Sequence, residues 1–219
     1  MPLYSELQQA TAKQSSELLS APIISAALKG AVTRDHYLSF LTEAYHHVKH
    51  TVPLLMACGA RLSESCEWLR SAVAHYIEEE IGHQEWILND ITAAGGDAEA
   101  VRHGRPAMAT ELMVSYAYDT IARGNPIGFF GMVYVLEGTS VQLASQVAAV
   151  LQEKLQLPAK AFSYLTSHGA LDLKHIDFFK SLVNRISAAA DRDSLLHGAR
   201  MFFRLYGNVL RSIDIQEQA

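Results

Sequence analysis

The sequence predicts an all-α fold, a compact bundle of seven or eight helices. Apolar residues recur at alternating spacings of three and four through most of the chain, and no segment sustains an alternation of two. Glycine and proline fall between these stretches, at Gly30, Gly95-Gly96, Gly104, Pro106, Asn125-Pro126 and Pro158. The connections they leave are mostly short, as packed neighbouring helices require.

The first helix runs roughly from Tyr4 to Leu19, and a short one follows around Ile23 to Leu28. After a turn at Gly30, Thr33 is placed to cap a helix that runs from about Asp35 past Pro53 to Cys58, with the proline bending or breaking it. Ser63, with Glu67 nearby, opens a long helix that ends at Gly95-Gly96. A loop holding Gly104 and Pro106 leads to a helix over about Ala107 to Ala122. Asn125-Pro126 starts a helix that ends near Pro158, another runs from Ala159 through His168 to Ile186, and Asp191 or Asp193 opens the last, which ends near Ile213.

A chain of 219 residues with no Pro/Ser/Gly-rich or low-complexity interruption is expected to form one domain over 1–219. A net charge of -5 without a Lys/Arg cluster argues against a nucleic-acid partner. Cys58 and Cys66 are too few for a secreted disulfide framework, and Met1-Pro-Leu-Tyr-Ser-Glu6 lacks the layout of a signal peptide. Reduced thiols in a cytoplasmic protein are the expectation. Between Arg123 and Glu153 the only charged residue is Glu137, which raises the question of a membrane span. That residue, Gln142 and Gln146 favour a buried bundle helix instead, so no membrane partner is expected.

Titratable residues stand where the core should be. One stripe reads Leu165, His168, Asp172, His175, Phe179, Leu182 and Ile186; another reads Leu69, Val73, Tyr76, Glu80, His83 and Ile87. Glu137 shares its stripe with Phe130, Tyr134, Val141, Ala144 and Ala148. An unpaired buried charge costs several kcal/mol, so such groups need partners or a metal. Three imidazoles with three carboxylates suit first-row transition metals, and the set Glu80, His83, Glu137, His168, Asp172 and His175 fits two irons, or iron with manganese, better than one zinc. Glu79, four residues before His83, is the alternative to Glu80, and Glu43 is a candidate extra ligand from its own helix.

Other features carry less. Tyr76, Tyr134 and Tyr206 are candidates to border a pocket, and His46, His47 and His50 share one helix. Arg200 and Arg204 read as surface cations. Gly128, Gly131 and Gly138 mark either close helix packing or space beside Glu137.

Glu80-Ile-Gly-His83, Glu137 and His168-Gly-Ala-Leu-Asp172-Leu-Lys-His175, in this order, resemble the heme-oxygenase-like di-metal oxidases and oxygenases, the CADD/UndA-like group of the TenA/PqqC-like superfamily. The resemblance covers nearly the whole chain, from Tyr37 to Leu205-Tyr206-Gly207, and His-x-x-x-Asp-x-x-His is its most specific part. It implies a heme-oxygenase-like, TenA-like helical fold and a non-heme di-iron cofactor that reacts with O2 to oxidise a small organic substrate. A homodimer is a reasonable expectation for such a fold. Two other readings compete. A TenA-like hydrolase of thiamin-related pyrimidines would use a cysteine on the helix that here carries Glu137, and neither Cys58 nor Cys66 lies there. A non-catalytic small-molecule-binding or regulatory module would use the polar cluster as ligand contacts. Heme oxygenases need an axial histidine near the N-terminus, for which His36 is a poor candidate, and PqqC-like oxidases would leave the cluster unexplained.

Overall fold

In the computed structural model residues 1–215 are described, with side chains for all of them except 168–174. Among these residues there are eleven α-helices and no strand: α1 (Leu3–Leu19), α2 (Pro22–Leu28), α3 (Arg34–Val48), α4 (Thr51–Arg61), α5 (Glu67–Glu80), α6 (His83–Ala93), α7 (Ala98–His103), α8 (Met108–Arg123), α9 (Phe130–Leu155), α10 (Ser163–Val183) and α11 (Ala189–Arg211). Short 3-10 turns lead into α5, α9 and α10.

The eight expected helices become eleven for three local reasons. The helix expected from Asp35 to Cys58 divides at Lys49-His50, where Pro53 falls in the first turn of α4; a proline there forfeits no intrahelical donor. The helix expected from Ser63 to Gly95-Gly96 divides at Ile81-Gly82. Ile81 is extended and Gly82 adopts φ +94°, a left-handed conformation that a residue with a Cβ enters only with strain. The loop after Gly96 holds α7, capped by the Asp97 carboxylate accepting from Ala100 N–H. The remaining boundaries fall where the punctuation put them. Thr33 and His36 form a reciprocal cap on α3, each side chain accepting from the other's backbone N–H at 3.2 Å.

α9 is the central element. It packs along α10 and is crossed by α11, which α1 and α8 cover from outside. The crossing is built on small residues: a Cβ added to Gly131 would lie 2.3 Å from Ala199 N, and one on Gly198 would lie 2.2 Å from Gly128 O. Close packing therefore explains Gly128 and Gly131. Asn125, which accepts from Ile127 N–H, also donates to Asp191 and so ties the entry of α9 to the entry of α11. The segment Pro126–Leu155 is long and apolar enough to cross a membrane, yet half of its most apolar stretch is buried within the bundle.

A carboxylate–imidazole cluster beside an apolar cavity

The break at Gly82 sets the local geometry. Although Glu80 ends α5 and His83 begins α6, the glycine turns the chain so that His83 Nδ1 stays 3.0 Å from Glu80 Oε2. Both are nearly enclosed, with side-chain exposures of 3% for His83 and 13% for Glu80. On the facing helices, His175 Nε2 lies 2.9 Å from Glu79 Oε2, and His175 Nδ1 lies 3.5 Å from Glu137 Oε1. The His175 imidazole thus stands between carboxylates from α5 and α9. Glu79 and Glu80 were alternatives in the sequence; here both take part, each facing a different histidine. Glu79, at the rim, also approaches His75 Nε2 at 3.5 Å, a neighbour the stripe analysis missed because His75 is half exposed.

Among the described residues no three His, Cys, Asp or Glu side chains close around one ion position. The contacts come instead as the linked Glu79–His175–Glu137 and Glu80–His83 groups. His168 and Asp172, the remaining two of the six candidate ligands, lie outside the described side chains; the backbone carries both on α10, one and two turns before His175.

The alignment of these helices rests on a residue that sequence reasoning overlooked. Asp90, on α6 two turns after His83, is wholly buried. Its carboxylate accepts from Ser163 N–H at 3.1 Å, from the Ser163 hydroxyl and from Tyr164 N–H at 2.8 Å. Asp90 therefore caps α10 from across the bundle, meeting backbone donors that the helix itself leaves without partners. Burial raises its carboxyl above the ordinary range, against the opposing pull of these hydrogen bonds. The signal in the sequence was its spacing, since His83, Ile87 and Asp90 continue the stripe.

A cavity of about 180 Å³ adjoins the cluster, with Tyr76, Glu80 and Glu137 in its lining. Most of the remaining lining is apolar and comes from α2, α3, α4, α9 and α11. A Cβ on Gly138, next to Glu137, would meet nothing within 4 Å, so this glycine leaves open space where Gly131 allows close packing. Tyr76 and Tyr206 line the cavity. Tyr134 does not: its ring stacks on Phe179 at 6.0 Å and meets Tyr4 and Phe203 edge-on, within the core.

Other candidates have different tasks. Glu43 accepts from Ala107 N–H at 3.1 Å and from the Thr110 hydroxyl, so it caps α8 and takes no part in the cluster. His46 and His47 are buried; His47 reaches the cavity, while His46 Nδ1 contacts Lys49 Nζ at 3.2 Å. His50 Nδ1 lies 3.1 Å from the Tyr118 hydroxyl. Arg200 and Arg204 are exposed, and Arg200 Nε donates to Ala10 O, joining α11 to α1. Cys58 is a buried free thiol on α4, pushed up by burial to about 12.

The profile of a family described as iron-containing redox enzymes matches residues 38–207. No curated protein matches the chain. Among solved structures, a domain of unknown function with a heme oxygenase-like fold from Shewanella denitrificans OS217 is 26% identical at a TM-score of 0.87, covering 97% of this chain and 92% of that one. A TenA homolog from Pseudomonas syringae pv. tomato str. DC3000 is 12% identical at 0.78, covering 96% and 92%. Heme oxygenase-1 from the cyanobacterium Synechocystis sp. PCC6803, solved in complex with heme, is 14% identical at 0.74, covering 98% and 93%. The last two likenesses are of fold alone, since one architecture hosts many chemistries. The profile match spans most of the chain, which carries the heme-oxygenase-like fold and belongs to the iron-containing redox enzyme family.

Proposed function

We propose that this protein is a non-heme di-iron oxidase or oxygenase that uses O2 to oxidise a small organic molecule. The observation that carries this reading is the pair of carboxylate–imidazole groups, Glu79–His175–Glu137 and Glu80–His83, drawn from α5, α6, α9 and α10, with Glu80 and Glu137 both lining one apolar cavity. The donor set fits iron: mixed carboxylate oxygen and imidazole nitrogen is what first-row metals take, and buried carboxylates in apolar surroundings call for cationic partners. His168 and Asp172 complete the set in this proposal. Iron bound here supplies the electrons for O2 reduction, which the side chains cannot.

The chain's own residues do the rest. His83 and His175 would hold iron through imidazole nitrogens, and the carboxylates of Glu80, Glu137 and Glu79, with Asp172 as the further candidate, would offset its positive charge. Asp90 ties the start of α10, which carries His175, to α6, which carries His83. The apolar wall excludes water and confines the substrate beside Glu137, which itself lines the cavity. No feature favours thiamin-type hydrolysis, because the buried Cys58 thiol lies on α4 and is held protonated.

Metal analysis tests the proposal. Protein expressed with added iron is expected to retain about two irons per chain. His175→Ala and Glu137→Ala are expected to retain less than half of the wild-type iron while still folding. Wild-type protein that takes up no iron would sink the proposal, as would turnover of an aminopyrimidine by metal-free protein.

A further inference from the structure

Several hydroxyls line the cavity, and those of Tyr206 and Ser140 have no hydrogen-bond partner among the described residues. Tyr206, on α11, lines it with its ring edge-on to His47 at 5.8 Å, and its hydroxyl makes no hydrogen bond among the described residues. Ser140, one turn beyond Glu137 on α9, lines the same cavity; its buried Oγ likewise has no hydrogen-bond partner among them. Tyr206 is half-buried on the cavity wall. Hydroxyls in a core are nearly always satisfied, because leaving one buried and unpaired, as at Ser140, costs the full desolvation of the group. Elsewhere in this protein they are: the Tyr37 hydroxyl donates to Ala161 O at 2.7 Å, and Thr139, beside Ser140, donates to Val135 O at 2.7 Å.

We propose that Tyr206 Oη and Ser140 Oγ are substrate-anchoring donors, and that the substrate is a largely apolar molecule carrying an uncharged hydrogen-bond acceptor such as a carbonyl oxygen. This rests on the reading of the cavity as the substrate site of the di-iron centre. Three observations fix the class. Burial pushes the Tyr206 phenol up to about 12, so it is a neutral donor at physiological pH. The lining includes no Lys or Arg among the described residues but does include Glu80 and Glu137, so an anionic group at Tyr206 meets no permanently charged cation, only the imidazoles of His36 and His47. Most of the rest of α9's contribution, Met132 and Leu136 before Ser140 and Leu143, Val147 and Leu151 after it among them, is apolar. Donors that orient one polar atom within an apolar cleft are how such pockets select their ligands.

Calorimetric titration of the full chain, iron-loaded and iron-stripped, with octan-2-one and with octanoate separates the outcomes. Octan-2-one is expected to bind saturably in both forms and, in the stripped form, more tightly than octanoate. Tyr206→Phe, which keeps the ring against His47, is expected to weaken the ketone about five- to tenfold. Ser140→Ala is expected to weaken it less, and Tyr116→Phe, outside the cavity, to leave it unchanged. Ketone binding that survives Tyr206→Phe intact, stronger binding of octanoate to stripped protein, or no saturable binding at all overturns the proposal. Should Tyr206→Phe not fold, wild-type affinity in Ser140→Ala overturns it instead. Binding to stripped protein that never loads iron would retain this inference and remove the di-iron reading; full iron loading without ketone binding would do the reverse.

Discussion

At Asp90 a carboxylate is buried completely, and its hydrogen-bond partners belong to another helix. Asp90→Asn keeps the shape but places an amide N–H where an acceptor is needed. A loss of about 1–3 kcal/mol in denaturant unfolding is expected, the range for a buried donor left unmet. His46 and His50 respond to acid. Burial, and then the nearby Lys49 charge, lowers the proton affinity of both imidazoles in the folded protein. Above an unfolded value of ~6.5 neither state carries the proton and stability is complete; below it the unfolded chain protonates first and stability is lost. The melting temperature is therefore expected to fall between about pH 7 and 5, less steeply in His46→Gln. Gln156 is the one non-glycine at positive φ among the described residues, at the end of α9. Its polarity made it look like ordinary helix surface, and nothing in its type announced the left-handed turn.

At the scale of elements, two glycines make opposite demands. Gly131 is where α11 crosses α9, so Gly131→Ala drives a methyl into the Ala199 backbone and is expected to destabilise by about 1–3 kcal/mol, as overpacking does. Gly82 has free space around it but a left-handed backbone. Gly82→Ala is expected to cost only about 1–2 kcal/mol of folding stability, yet to lower iron retention, because straightening the α5–α6 break moves Glu80 relative to His83. Wild-type iron content in Gly82→Ala would show that the break does not position the pair. The break was hidden because His83 re-enters on the same stripe that Tyr76 and Glu80 define, so the spacing reads as one uninterrupted helix. α7 was hidden for another reason: six residues with Glu99, Arg102 and His103 among them are too few and too charged to show an apolar stripe.

For the whole molecule, the fold was legible because most helices are bounded by glycine, proline or a capping residue. The candidate site was legible where burial selected polar residues, as at His83, Glu137 and His175. It was not legible where rotation about a helix decides. Glu79 and Glu80 both reach histidines because the helix ends between them and Gly82, and Glu43 turns to cap α8 instead of joining them. If iron binds the folded chain alone, wild-type protein is expected to melt higher when loaded than after chelation, and Glu137→Ala is expected to lose most of that difference. Equal melting temperatures with and without iron would contradict the proposed centre.

Because a single carboxylate on α6 grips the first two amides of α10, anything that steadies His83 also steadies the start of the helix bearing His175. Deuterium uptake at Ser163 and Tyr164 thereby becomes a remote gauge of the centre. Titrating in ferrous ion should slow exchange at these two amides in proportion to occupancy of the proposed centre, and Asp90→Asn should disconnect the gauge.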